Sequence, residues 1–110
     1  MPCLFCRIVA KEVPAAVVYD DDDVLAFRDI DPQAPLHVLV VPKRHVARVA
    51  DLDDADLAGR LTLAAAAIAK AEGRADSFRL VVNSGAGAGQ SVEHLHVHLL
   101  AGRPFSWPPG

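Results

Sequence analysis

At 110 residues and a net charge of −3, the chain suits one domain with a single core and lacks the basic surface that non-specific nucleic-acid binding needs. Hydrophobic residues make up 52% of it, which excludes a disordered polar chain, yet no apolar run approaches the roughly 20 residues that span a bilayer. The start, Met1-Pro2-Cys3, carries neither a basic segment nor a hydrophobic signal core, so the cytoplasm is the expected location.

In chain order, Leu4, Phe5, Ile8 and Val9 have helical spacing and predict a short N-terminal helix that Pro14 stops. Ala16 to Tyr19 and Val24 to Asp29 read as two strands around a solvated turn, Asp20-Asp21-Asp22-Asp23. That acidic run is no calcium loop, because ligands spread over about twelve residues with a midway glycine are missing. Asp31-Pro32-Gln33-Ala34-Pro35 is a loop, since its two prolines forbid regular pairing. Leu36 to Pro42 is rich in β-branched residues and predicts a buried strand, followed by a polar connection at Lys43-Arg44-His45. A long helix runs from Asp54 to Glu72, with Asp53 as N-cap, Gly73 at the C-terminal cap, and Leu57, Leu61, Ala64, Ile68 and Ala71 as its buried stripe. Phe78 to Asn83 is a fourth strand. Ser84 to Ser91 is a glycine-rich loop, and Glu93 to Leu100 is a fifth strand before a proline-rich tail at 103–110. Five antiparallel strands with one main helix make an α+β fold in a single domain, 1–110.

The chemistry gathers on the last strand. His94, His96 and His98 alternate with Leu95, Val97 and Leu99, so a strand puts the three imidazoles on one face and the aliphatic residues in the core. Gly85, Gly87 and Gly89 just upstream let backbone N–H groups approach an anion, and Gln90 and Ser91 add side-chain donors. A phosphate fits between this loop and the imidazoles. A neutral imidazole is a competent nucleophile towards phosphorus, and His96, flanked on both sides, is best placed to attack while its neighbours orient the phosphate. His37 alternates with Leu36, Val38 and Val40 and joins His98 as a candidate to deliver or relay a proton. A rival class, a zinc hydrolase using His94 and His96 as ligands with Glu93 nearby, suffers because Glu93 points to the opposite face. A nucleotide-binding regulator with incidental catalysis is a further alternative. Cys3-x-x-Cys6 suggests metal or redox chemistry; it is short of two ligands for a zinc site, and no strand precedes it as a redox motif would require.

These residues carry a family likeness. His94-Leu95-His96-Val97-His98-Leu99-Leu100 fills the His-φ-His-φ-His-φ-φ motif of the histidine-triad (HIT) family, and the chain most resembles its nucleotide-binding Hint branch. Further ordered blocks agree: Phe27-Arg28-Asp29-Ile30, Pro32-Gln33-Ala34-Pro35, Val41-Pro42-Lys43, Val81-Val82-Asn83, Gly89-Gln90-Ser91-Val92 and Trp107-Pro108-Pro109-Gly110. The resemblance implies a HIT-like fold and a homodimer whose sheets join into a continuous ten-stranded one. It implies hydrolysis of purine nucleoside 5′-phosphoramidates, with dinucleoside polyphosphate hydrolysis or nucleotidyl transfer as the near alternative. It makes His96 the nucleophile and puts His98 and Ser91 on the phosphate or leaving group, with Asn83 beside the phosphate. Asp29 takes the ribose hydroxyls, and Leu4, Phe5, Ile8, Phe27, Ile30 and Leu39 enclose the base. Some relatives hold a structural, non-catalytic zinc, for which Cys3, Cys6, His45 and His94 are the matching ligands. The tail with Trp107 is implied to reach the partner's active site, the alternative being packing on its own subunit.

Overall fold

Asp21 turns the chain in the acidic run. Its carboxylate accepts the N–H groups of Asp23 and Val24, both at 2.8 Å, and the Tyr19 hydroxyl at 2.7 Å. These bonds hold its pKa below the usual carboxylate range although burial alone would push it up. The turn joins β1 (Val17–Asp20) to β2 (Val24–Arg28). The computed structural model, which describes residues 3–110, continues this hairpin into one antiparallel sheet. With β3 (Leu36–Pro42), β4 (Phe78–Val81) and β5 (Val97–Ala101), the strand order is β1-β2-β3-β5-β4. The five predicted strands are all present; β3 has the predicted bounds, and the other four differ by one to four residues at one or both ends.

Alternation along β3 divides the core in two. Leu36, Val38 and Val40 join Leu95, Val97 and Leu99 under the long helix α2 (Ala55–Ala71), while Leu39 and Val41 join Phe5, Leu25 and Phe27 on the other face. His37 and His98 lie on this second face by the same alternation: Leu39 stands opposite His98 in the ladder.

The helix ends follow their sequences with three corrections. Asp54, not Asp53, caps α2, because its carboxylate accepts the Leu57 N–H at 3.0 Å. At the other end Gly73 sits at φ +73°, with Gly73 N–H on Lys70 O and Arg74 N–H on Ala69 O, a Schellman closure. Ala71 is exposed, and Ala65 and Ala69 fill the buried stripe in its place, since the packed face is wider than one row. The N-terminal helix α1 (Leu4–Val9) ends in the same closure built on Lys11 at φ +64°, before Pro14 is reached. Six residues cannot hold a helix alone. Burying Phe5 contributes about 1.5–3 kcal/mol towards docking it on the sheet. No helix among the described residues is long and apolar enough to cross a membrane.

Candidate active site

The paired part of the last strand begins at Val97, so His94 and His96 precede the ladder rather than lie in it. They still face the same side as His98. The Phe5 ring meets His94 and His96 edge-on at 5.9 and 5.1 Å, and the His96 and His98 rings are 5.0 Å apart.

His96 and His37 have their tautomers set by a neighbour of one polarity, and His98 follows from His37. His96 is 5% exposed, and its Nδ1 lies 2.8 Å from the His94 carbonyl oxygen. A carbonyl only accepts, so Nδ1 carries the proton and Nε2 keeps its lone pair. The His37 ring nitrogen Nδ1 accepts the Gln33 N–H at 3.0 Å, so its proton resides on Nε2, which donates to His98 Nδ1 at 2.9 Å. His98 is therefore left with an N–H at Nε2. Burial, then the neighbouring His96 and His37, push the His98 pKa down to about 4. Burial lowers that of His37 as well, against the pull of Asp29 and Asp31. Both rings are neutral near pH 7.

Beside this pair lies a slot of about 310 Å³. All six apolar residues expected around a base line it, Leu4, Phe5 and Ile8 from α1 and Phe27, Ile30 and Leu39 from the sheet side, and so does Asp29. Ile30 is wholly exposed at the rim. Asp29 accepts the Asp31 N–H at 2.8 Å through one oxygen and sets the other 3.5 Å from His37 Nε2. Sequence reasoning missed Pro14, Ala15 and Ala16, which form another wall; Pro14 signalled only a helix stop.

The glycine loop is braced from inside. The Gln90 side chain was expected to offer donors to a ligand. Instead it is buried, donating to Ala47 O at 2.7 Å and Val92 O at 2.9 Å and accepting the Gly85 N–H at 2.8 Å. Its polar atoms are consumed in holding the loop. Gly89 lies over Asn83, where a Cβ would stand 3.8 Å from the amide nitrogen. Ser91 is exposed and makes no hydrogen bond among the described residues, so its hydroxyl is free for a ligand. Trp107 is 84% exposed and not among the residues lining the slot, while the tail before it packs on its own subunit, with Arg79 donating to Ser106 O at 2.9 Å.

Cys3, Cys6, His45 and His94 converge. His94 Nδ1 is 3.4 Å from Cys3 Sγ, 3.5 Å from Cys6 Sγ and 3.1 Å from His45 Nδ1, and Cys6 Sγ is 3.3 Å from His45 Nδ1. A tetrahedral ion about 2.3 Å from sulfur and about 2.0–2.1 Å from nitrogen spaces its ligands by about 3.3–3.8 Å, close to these separations. The fully buried His94 gives its Nε2 proton to the Pro42 carbonyl at 2.8 Å, which leaves Nδ1 bare towards the cluster. Burial and the adjacent Cys3 push the Cys6 thiol up, and a bound cation reverses that. The donor set fits zinc. A second group, Asp29, His37 and His98, has metal-ligand types but the wrong proton. Metal on His37 Nε2 would force a proton onto Nδ1, against the Gln33 N–H.

Residues 10–105 match the model of the HIT domain family. Adenylylsulfatase HINT1 of Arabidopsis thaliana is 48% identical, covering 99% of this chain and 77% of that protein. The 14 kDa zinc-binding protein of Brassica juncea is also 48% identical, over 97% of this chain and 98% of that protein. A HIT family hydrolase from Legionella pneumophila superposes with a TM-score of 0.96 at 48% identity, over 99% of this chain and 100% of its own.

Proposed function

The chain belongs to the HIT domain family, and on that premise we propose that it hydrolyses purine nucleoside 5′-phosphoramidates through a covalent nucleotidyl-His96 intermediate. The observation that carries this reading is the His96 Nδ1–H bond to the His94 carbonyl, which presents a bare Nε2 beside a nucleotide-sized apolar slot. The base lies in the slot, Asp29 accepts from the ribose, and Ser91, Asn83 and the amides near Gly89 bind the phosphoryl oxygens. His96 Nε2 bonds to phosphorus as the P–N bond breaks. The departing amine takes a proton from His98 Nε2, the ring being held by His37 Nε2–H on its Nδ1. Water then displaces His96, its oxygen bonding to phosphorus and one of its protons restoring His98 Nε2, with release of the monophosphate.

The Arabidopsis relative's name favours a second reading, an adenylyl sulfate as substrate. The attacked phosphorus is the same, but sulfate leaves without a proton. Turnover of adenosine 5′-phosphoramidate and adenylyl sulfate by wild type, His96→Gly and His98→Asn tests both. Wild type is expected to cleave both and His96→Gly neither, with His98→Asn impaired mainly on the phosphoramidate. Full activity in His96→Gly would remove the nucleophile assignment, and an inert wild type would remove the enzyme.

Zinc at Cys3, Cys6, His45 and His94 is structural in this reading, and two ligand thiols suit the reducing cytoplasm. We also propose a homodimer. The β4 edge exposes Leu80 and Val82, and an apolar groove beside it is lined by Val49, Ala58, Thr62 and Val82. A single-chain mass in solution would refute it.

A further inference from the structure

The loop 31–35 is tied to the C-terminal tail at two points. Gly102, at φ +98°, lies against Pro35 so closely that a Cβ there would stand 2.9 Å from the proline Cβ. One residue on, the Arg103 guanidinium donates from Nε to the Gln33 carbonyl at 2.8 Å. Arg103 is itself steadied, with its Nη1 donating to Pro104 O at 3.1 Å and its Cζ over the Phe105 ring, 4.4 Å from the ring centre. Gln33 is the residue whose N–H sets the proton of His37.

We propose that Arg103 is a positioning residue that, through Gln33 and His37, fixes which nitrogen of His98 carries the proton offered to the leaving group. The path is continuous: Arg103 Nε to Gln33 O at 2.8 Å, Gln33 N to His37 Nδ1 at 3.0 Å, His37 Nε2 to His98 Nδ1 at 2.9 Å. Gln33 N–H and C=O belong to the two peptide planes on either side of its Cα. Pro32 and Pro35 fix φ near both ends of the segment, so few soft dihedrals remain, and Arg103 restrains the plane that follows Gln33. Without that anchor the Gln33 N–H wanders from His37 Nδ1. His37 then samples the tautomer with a bare Nε2, and His98 is free to keep its proton on Nδ1. An Nε2 without a proton cannot serve a departing amine. The kinetic half of this inference rests on the phosphoramidate reading; the tautomeric half does not.

Long-range proton–nitrogen correlation of the imidazoles, recorded on the full chain loaded with zinc at pH 7.5, reads the tautomers directly. Wild type is expected to show one tautomer each, His37 and His98 both protonated at Nε2. Arg103→Met, at an exposed position, is expected to give mixed tautomers at both rings. Its kcat on adenosine 5′-phosphoramidate falls about tenfold or more, with KM changed less than about twofold. Arg103→Lys, which still reaches the Gln33 carbonyl, recovers most of both. Arg79→Met is the control, because Arg79 also faces Phe105, at 5.0 Å, and bonds Ser106 O at 2.9 Å, yet does not bond Gln33. It leaves tautomers and kcat as in wild type. Unchanged tautomers in Arg103→Met would overturn the proposal, as would equal effects of Arg103→Met and Arg79→Met, which would assign the role to tail packing. A wild type inert on the phosphoramidate but with the expected tautomer changes would remove the substrate and leave Arg103 in place.

Discussion

Three of the imidazoles here have their proton located by a backbone group that can only give or only accept, and His98 follows from His37. The His94 carbonyl accepts from His96 Nδ1–H, the Pro42 carbonyl accepts from His94 Nε2–H, and the Gln33 amide donates to a bare His37 Nδ1. The spacing of the histidines marked the strand face, but the tautomers were not legible in it, since backbone groups from distant or irregular segments set them. Neutral burial of His98 has a pH consequence. Its folded pKa of about 4 lies below the ordinary 6.5, so between those values the unfolded chain holds a proton that the folded one does not. Stability therefore rises with pH across that window; it is fully present above 6.5 and lost as pH falls towards 4. His37, shifted down by burial, acts in the same direction. Urea midpoints of wild type and His98→Asn from pH 7.5 to 4 isolate the contribution, because zinc loss is common to both. The wild-type curve is expected to be the steeper, and parallel curves would contradict the assignment.

At the level of elements, periodicity located every strand and both helices, and the misses lie at their ends. Two adjacent aspartates competed for the α2 cap, and composition could not separate them. The choice fell to Asp54, whose extended backbone (φ −120°, ψ 101°) aims its carboxylate at the Leu57 N–H. Asp54→Ala is expected to cost about 1 kcal/mol in chemical denaturation, and Asp53→Ala less than about 0.5 kcal/mol. Equal losses would mean that surface charge, not the cap, stabilises this end. Gln90 illustrates a different limit. A polar residue next to a glycine loop looks like a ligand donor, and only the fold shows that Ala47, 43 residues away, claims its amide.

On the scale of the whole molecule, the two faces of the sheet do different work. The α2 face is sealed by aliphatic packing. The other face is covered by a six-residue helix that also forms one wall of the slot through Leu4, Phe5 and Ile8. Such a helix lacks the roughly 12–15 residues that give marginal stability in isolation, so its position depends on what ties it down. Cys3 caps α1 and Cys6 lies within it, while His45 follows β3 and His94 precedes β5. A zinc ion at these four residues would pin the slot wall to the two central strands that carry His37 and His98. Stripping the metal then loosens the wall more than the chemistry, because His96 keeps its own bond to the His94 carbonyl and His94 keeps Pro42. Chelation followed by dialysis is expected to raise KM for the nucleotide by about fivefold or more while kcat stays within about threefold, and added zinc reverses it. Elemental analysis before and after gives the occupancy. Protein purified without metal and indifferent to chelator would leave α1 held by Phe5 alone. A collapse of kcat at constant KM would mean instead that the metal acts through His94 on the alignment of His96.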